Sequence, residues 1–254
     1  MQKIHIPEIK STNTYMLELL AEGTLTGEMT VIYSMRQTAG RGQIGNSWES
    51  EAEKNITFSI LLRPSFLPVR EQFLISEITC LAIVNALKCF APNAPFSVKW
   101  PNDIYCGNEK ICGILIENSL MGSHINYSVV GIGINVNQER WIGNAPNPTS
   151  LKLCSGAEHS PIDVLDKVVA NIASLYEQLK NGDKQQLHAQ YFNCIYRRNG
   201  FFPYKDAETG REFNARIKEI EPSGYLHLED TEGSIHRYMF KEVKFVLPCG
   251  VTKE

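Results

Sequence analysis

Residues 96–135 read FSVKWPNDIYCGNEKICGILIENSLMGSHINYSVVGIGIN, and the alternation of apolar residues with turn formers along this stretch decides the fold. Three strands are expected, over Phe96 to Tyr105, Ile111 to Glu117 and Tyr127 to Asn135, each rich in β-branched or aromatic residues. The separators, Cys106-Gly107-Asn108 and Met121-Gly122, are turn sequences. Connections this short cannot carry a crossover helix, so neighbouring strands pair as hairpins. The expected class is therefore α+β, a mixed or antiparallel sheet backed by helices, and not a series of βαβ units.

Toward the N-terminus, Val69 to Phe90 has apolar residues at three- and four-residue spacing and predicts a long central helix. Asn55 to Leu62 and Met29 to Met35 predict two more strands, with a Gly-rich loop, Ala39 to Gly45, between them. Ahead of these, Thr12 or Asn13 caps a helix that buries Tyr15, Met16, Leu19 and Leu20 and stops near Gly23. Toward the C-terminus, Trp141 to Pro148 predicts an irregular loop. Helices over Pro161 to Lys180 and Lys184 to Tyr196 then close a large domain, residues 1–200. From Glu212 to Val246 apolar and polar residues alternate, with turns at Glu221-Pro222-Ser223-Gly224 and Asp230-Thr231-Glu232-Gly233. This predicts a small SH3-like β-barrel as a second domain, residues 201–254.

Composition bounds the function. With 43% hydrophobic and 21% charged residues, the chain reads as an ordinary globular protein. No run approaches the roughly 18 consecutive apolar residues of a membrane helix. Met1 to Lys10 has no apolar core of a secretory signal, so no membrane association and a cytoplasmic address are expected. Seven cysteines (Cys80, Cys89, Cys106, Cys112, Cys154, Cys194, Cys249) form no CxxC pair and predict reduced thiols rather than disulfides or structural zinc. The six histidines are scattered without ligand spacing, so no protein-bound metal is expected. A net charge of −3 offers no basic footprint for DNA.

Three clusters carry chemistry. In the loop from Gln37 to Trp48, glycines let backbone amides approach a ligand and Arg41 can complement phosphate, although such a loop is equally well just a turn between strands. It is neither a P-loop nor a Rossmann fingerprint. In Lys99-Trp100-Pro101-Asn102-Asp103 and in the run from Lys110 to Glu117, a lysine within a strand needs a carboxylate or a phosphate if buried. The alternative is a solvent-facing side chain. In Gly131-Ile132-Gly133-Ile134-Asn135-Val136-Asn137, two glycines weaken a β-branched strand unless something approaches its backbone closely. An adenosine, a bulge or tight packing would each account for them.

Ser11-Thr12-Asn13, Gln37 with AGRG at 39–42, Trp48, KWPND at 99–103, KxxGILIE from Lys110 and GIGINVN at 131–137 stand in the order found in biotin protein ligases. Through these residues the whole chain resembles that family, in the form without an N-terminal DNA-binding domain. The resemblance implies an enzyme that condenses biotin with MgATP to biotinyl-5′-AMP and pyrophosphate. It then passes biotin to a lysine of a biotin carboxyl carrier protein. By the same resemblance, Ser11, Thr12, Asn13, Gln37, Gly40, Arg41, Gly42, Gln43, Lys110 and Gly113 bind biotin, with neutral polar groups serving its ureido head. Arg41, Trp48, Asn102, Lys110, Gly131, Gly133 and Asn135 bind ATP or the adenylate. Arg41, Lys110 and Asp103 are the implied catalytic residues, the two cations neutralising charge at the carboxylate–phosphate junction. Asp103 orients the carrier lysine or takes its proton; the alternatives are an ion pair with Lys99 or a Mg²⁺ contact. ATP and Mg²⁺ are thus the expected co-substrates, no structural metal is implied, and a homodimer is an open option.

Two departures from the family bear on this. Gln43 stands where many members carry a second loop arginine, which removes a charge from the adenylate's surroundings. Only ten residues precede Ser11, so a repressor function is not expected. The runner-up enzyme is a lipoate ligase or octanoyl transferase of the same fold, against which the polar Ser11-Thr12-Asn13 and Gln37 argue. The runner-up from another class is a non-catalytic biotin-binding module, against which Arg41 and Lys110 argue.

Overall fold

The computed structural model describes residues 1–43, 45–143 and 147–247. Cys249, Ile44, part of the loop expected over 141–148 and the tail of the expected barrel lie outside them. The chain runs β1 (Gln2–His5), α1 (Thr12–Ala21), β2 (Thr30–Ser34), β3 (Gly40–Arg41), β4 (Ser47–Trp48), β5 (Ile56–Leu62), a 3-10 turn (Val69–Glu71) and α2 (Phe73–Phe90). It continues with β6 (Phe96–Lys99), β7 (Asp103–Cys106), β8 (Glu109–Met121), β9 (His124–Ile134), α3 (Leu151–Ser155), α4 (Pro161–Lys180) and α5 (Lys184–Asn193). The last five strands are β10 (Phe202–Asp206), β11 (Glu212–Ile220), β12 (Leu226–Asp230), β13 (Ile235–Tyr238) and β14 (Val243–Phe245).

Seven strands pair in the order β1-β2-β5-β9-β8-β7-β6. Only β1–β2 is parallel, so the sheet is mixed, as expected. The hairpin run behaves as its short turns require, with one difference. The strand expected over 96–105 is two strands, folded back on each other around a cis Trp100–Pro101 bond. Proline has no N–H for a ladder and restricts the residue before it, which is why the run breaks there. The helix at the N-terminus is capped by Ser11, whose Oγ accepts the Thr14 N–H at 3.4 Å; Thr12 and Asn13 lie inside it. Strand β1 and helix α3 were not anticipated.

α2 is the core. By composition the span 69–90 is long and apolar enough to cross a membrane, and 78% of its most apolar 18-residue window, of mean hydropathy 1.7, is buried inside the fold. It packs with α4 and α5 against one face of the sheet, in a cluster that includes Phe58, Ile60, Val130 and Ile132. α1 covers the other face, with Met16 against Ile32, Leu61 and Val129. The six described cysteines are free, and Cys80 and Cys112 are buried.

The C-terminal strands form a five-stranded antiparallel sheet, order β13-β12-β11-β10-β14, which begins at Phe202 rather than Glu212. Trp100 joins it to the large sheet. Its side chain is 2% exposed, its Nε1 donates to the Gly224 carbonyl at 3.1 Å, and its ring meets Phe240 edge-on at 5.3 Å. Truncating so large a buried side chain, Trp100→Ala, should cost about 3–5 kcal/mol and lower Tm by roughly 10 °C. Thermal unfolding checks this; a change under about 2 °C would mean the junction is not load-sharing.

Candidate active site

The register of three central strands lays the floor of a cleft. Across β5, β9 and β8 the rows are Thr57–Gly133–Gly113 and Ser59–Gly131–Leu115. Alternation sends these residues to one face while Phe58, Ile132 and Ile114 of the row between go to the core. α1 supplies one wall, the β3–β4 hairpin a lid, and the β6–β7 turn with the start of β8 the far wall. The cleft measures about 120 Å³ and is lined by Ser11, Thr12, Asn13, Gln37, Arg41, Gly42, Gln43, Trp48, Asn102, Asp103, Lys110, Gly113, Gly131 and Gly133, among others. Residues from six separate sequence motifs therefore meet in one place.

Around Asn13 the cleft is densely hydrogen bonded. Gln37 Oε1 accepts the Thr12 N–H at 3.0 Å, and the Ser59 hydroxyl lies 2.8 Å from Thr12 Oγ1 and 2.5 Å from Asn13 Oδ1. Asn13 Nδ2 donates to the Leu115 carbonyl at 3.2 Å and to Glu117 Oε2 at 2.9 Å. Asn13 can sit there because Gly131 has no side chain: a Cβ on it would lie 2.2 Å from Asn13 Oδ1.

Two ion pairs lie along the cleft, one beside Asn13 and one at the start of β8. Lys110 Nζ is 2.6 Å from Asp103 Oδ1, and Arg41 Nη2 is 2.9 Å from Glu117 Oε1. Of the two lysines expected to need an anion, Lys110 has one; Lys99 instead sits 5.0 Å from the Phe245 ring centre and 5.5 Å from that of Tyr105, and burial lowers its pKa. Asp103 is thus the partner of Lys110 and not of Lys99.

Trp48 lies on the Lys110 side of the cleft. Its indole packs over Gly133, where a Cβ would stand 2.4 Å from Cε2, and 5.8 Å from the Lys110 ammonium to the ring centre. Its buried Nε1 has no hydrogen-bond partner among the described residues, which is costly unless a ligand accepts it. The Gly-rich stretch forms a tight hairpin in which Gly40 pairs with Trp48, and Arg41, Gly42 and Gln43 line the cleft.

Two expected residues carry structural hydrogen bonds. Asn102 lines the cleft, yet its amide donates to the Ile114 carbonyl and its own carbonyl accepts the Ile114 N–H at 3.1 Å, tying the β6–β7 turn to β8. Asn135 is not among the lining residues. Its amide donates to the Thr149 carbonyl at 2.9 Å, and Thr149 N–H reaches the Lys110 carbonyl at 2.9 Å, so Asn135 buttresses the segment behind Lys110.

Sequence reading passed over Thr57, Ser59, Glu117 and Glu49. The first two stand two apart in an otherwise apolar strand, a period-2 signal that marks a polar face. Glu49 accepts the N–H groups of Ile142 and Gly143 at 2.8 and 2.7 Å, pinning that loop beside the flap.

Comparison with known proteins agrees with this architecture. Residues 6–135 match the model of the biotin/lipoate A/B protein ligase family. The chain is 33% identical over 174 residues to a biotin–acetyl-CoA-carboxylase ligase of Paracoccus denitrificans, covering 66% of this chain and 70% of that protein. It is 34% identical over 112 residues to the bifunctional ligase/repressor BirA of Bacillus spizizenii, covering 44% of this chain and only 34% of that protein. In fold it is similar to a biotin protein ligase from Aquifex aeolicus in complex with biotin and ATP, with TM-score 0.79, 24% identity, and 97% and 99% of the two chains covered. A matched half of the chain, a relative covered over more than two thirds of its length and the shared fold lead to one conclusion: the chain belongs to the biotin/lipoate A/B protein ligase family.

Proposed function

We propose that this protein is a biotin protein ligase: it activates biotin with MgATP to biotinyl-5′-AMP and pyrophosphate, then transfers biotin to one lysine of a biotin carboxyl carrier protein. The observation that carries the reading is the lining of the cleft, which brings the neutral hydrogen-bonding groups of Ser11, Thr12, Asn13 and Gln37 together with the cations Arg41 and Lys110. A ureido ring has donors and an acceptor but no charge, and neutral amides and hydroxyls satisfy it. The biotin carboxylate would then reach the cations. There its oxygen attacks the α-phosphorus of ATP in line, the new O–P bond forms as the bond to the leaving pyrophosphate breaks, and Arg41 and Lys110 offset the charge on the transferring group. Trp48, on the indole face nearest Lys110, is the surface for the nucleotide base, and its unpaired Nε1 is a donor for the adenylate.

In the second half-reaction the carrier's lysine amine attacks the biotinyl carbonyl and AMP leaves. Asp103 lies on the cleft wall and is the group we assign to orient that amine or take its proton. This requires Asp103 to exchange Lys110 for the incoming ammonium. Magnesium enters as the ion carried by the ATP phosphates. Asp103, the carboxylate among the lining residues, is already engaged by Lys110, a donor set unlike a protein-held magnesium cage. We take residues 1–200 as the catalytic domain and 201–254 as an SH3-like barrel attached through Trp100.

The lipoate or octanoate alternative would favour an apolar pocket end. The test is pyrophosphate release from MgATP with biotin, lipoate or octanoate as the only acid. Release with biotin alone supports the reading; release with lipoate or octanoate but not biotin would move the protein to the sister activity.

A further inference from the structure

We infer that Glu117 is a positioning residue for adenylation: it fixes the plane of Arg41 so that one edge of the guanidinium is held ready for the ligand's phosphate. The inference rests on the ligase reading above. Glu117 is the next residue on the site face of β8 after Gly113 and Leu115, paired with Val129 one row beyond the Gly131 row. Its carboxylate is 27% exposed and forms a fork with Arg41, Oε1 to Nη2 at 2.9 Å and Oε2 to Nη1 at 3.3 Å. Nη1 also donates to Thr14 Oγ1 at 3.3 Å.

A guanidinium has five N–H donors in one plane. The fork uses the end-on edge, Nη1 and Nη2, and Thr14 takes the second Nη1 proton. What is left, with no partner among the described residues, is the side edge formed by Nε–H and the second Nη2–H. Two parallel donors on one edge match two oxygens of a phosphate or carboxylate. An exposed arginine on a glycine-flanked hairpin would otherwise sample many rotamers, and ordering it would cost binding energy at each turnover. Glu117 pays that ordering in advance, and the same Oε2 accepts the Asn13 amide. One carboxylate thus joins the residue assigned to the ureido head to the residue assigned to the phosphate, without lining the cleft itself.

Glu117→Gln keeps the size but turns one acceptor into a donor, which cannot complete the fork. With isotopically labelled biotin and MgATP, the purified variant should release biotinyl-5′-AMP about tenfold faster than the parent and show a raised KM for MgATP, with Tm nearly unchanged. Placed on Arg41→Ala, the same change should shift the release rate by no more than about twofold, because the route through Arg41 is gone and the side-chain oxygen left by Glu117→Gln can still accept the Asn13 amide. Glu117→Asp, which keeps the charge but withdraws it by one methylene, should fall between and serves if the Gln variant does not fold. Wild-type retention in Glu117→Gln, or a full additional loss on Arg41→Ala, would overturn the inference. No adenylate at all from the parent protein would sink the ligase reading, and this inference with it.

Discussion

Lys110→Ala should slow biotin-dependent pyrophosphate release by about a thousandfold. The expectation follows from where the ammonium is. It stands 2.6 Å from Asp103 and 5.8 Å from the Trp48 ring centre, where the proposed function puts the meeting of the carboxylate and the α-phosphate. Charge develops at that junction in the transition state, and a preorganised cation there acts more strongly than in water because the walls exclude solvent. The alanine variant also strands Asp103, whose side chain is 18% exposed, with no counter-ion. Stability should nevertheless change little, since Lys110 itself is one-third exposed and such pairs contribute about 0–1 kcal/mol. A melt within a few degrees of the parent, together with the rate loss, separates a chemical role from a structural one. Lys110→Arg should recover only part of the rate, because a planar fork does not replace a compact point charge. If the alanine variant kept more than about a tenth of the parent rate, the placement of the chemistry beside Lys110 would be wrong.

The second large effect is expected from a single methyl group. Gly131→Ala would bring a Cβ to 2.2 Å from Asn13 Oδ1. Asn13 is 3% exposed and is held on three sides, by Ser59, the Leu115 carbonyl and Glu117, so it has no free direction in which to yield. It must give up these hydrogen bonds. Each net bond of this kind is worth about 0.5–1.5 kcal/mol, more where one partner is charged, so biotin affinity should fall about 100-fold by calorimetry. MgATP binding should be affected far less. The opposite pattern, a selective loss of nucleotide affinity, would return Gly131 to the adenosine contact that its sequence context also allowed.

Gly131 illustrates how legible this chain is before its structure. Two glycines in a β-branched strand say that something comes close, and the sequence cannot say whether that is a ligand or another side chain. Register places a side chain there: Gly131 lies opposite Ser59 and Leu115, directly beneath Asn13. The hairpin run was readable because its turns are short and its strands β-branched, whereas the break at Trp100–Pro101 was hidden inside an apolar run that a single strand would also explain. Strand β1 was missed because four residues with little alternation carry no periodic signal, and it is ordered by pairing with β2, a contact remote in sequence. Arg41, Lys110 and Trp48, singled out through motifs, line one cleft. Asn135 was read as a contact to the adenylate, and the structure places its amide on the Thr149 carbonyl, one step behind Lys110. Glu117 was visible at the end of its motif without a role, because a carboxylate's function here depends on which edge of an arginine it takes.

The central claim is most directly tested by the intact mass of a biotin carboxyl carrier domain incubated with this protein, MgATP and an equimolar mixture of biotin, lipoate and octanoate. The account predicts a single biotinyl addition, mapped to one lysine, absent when that lysine is replaced by arginine and absent without ATP. A carrier that gains a lipoyl or octanoyl group instead, or stays unmodified while the protein is folded and binds biotin, would contradict it.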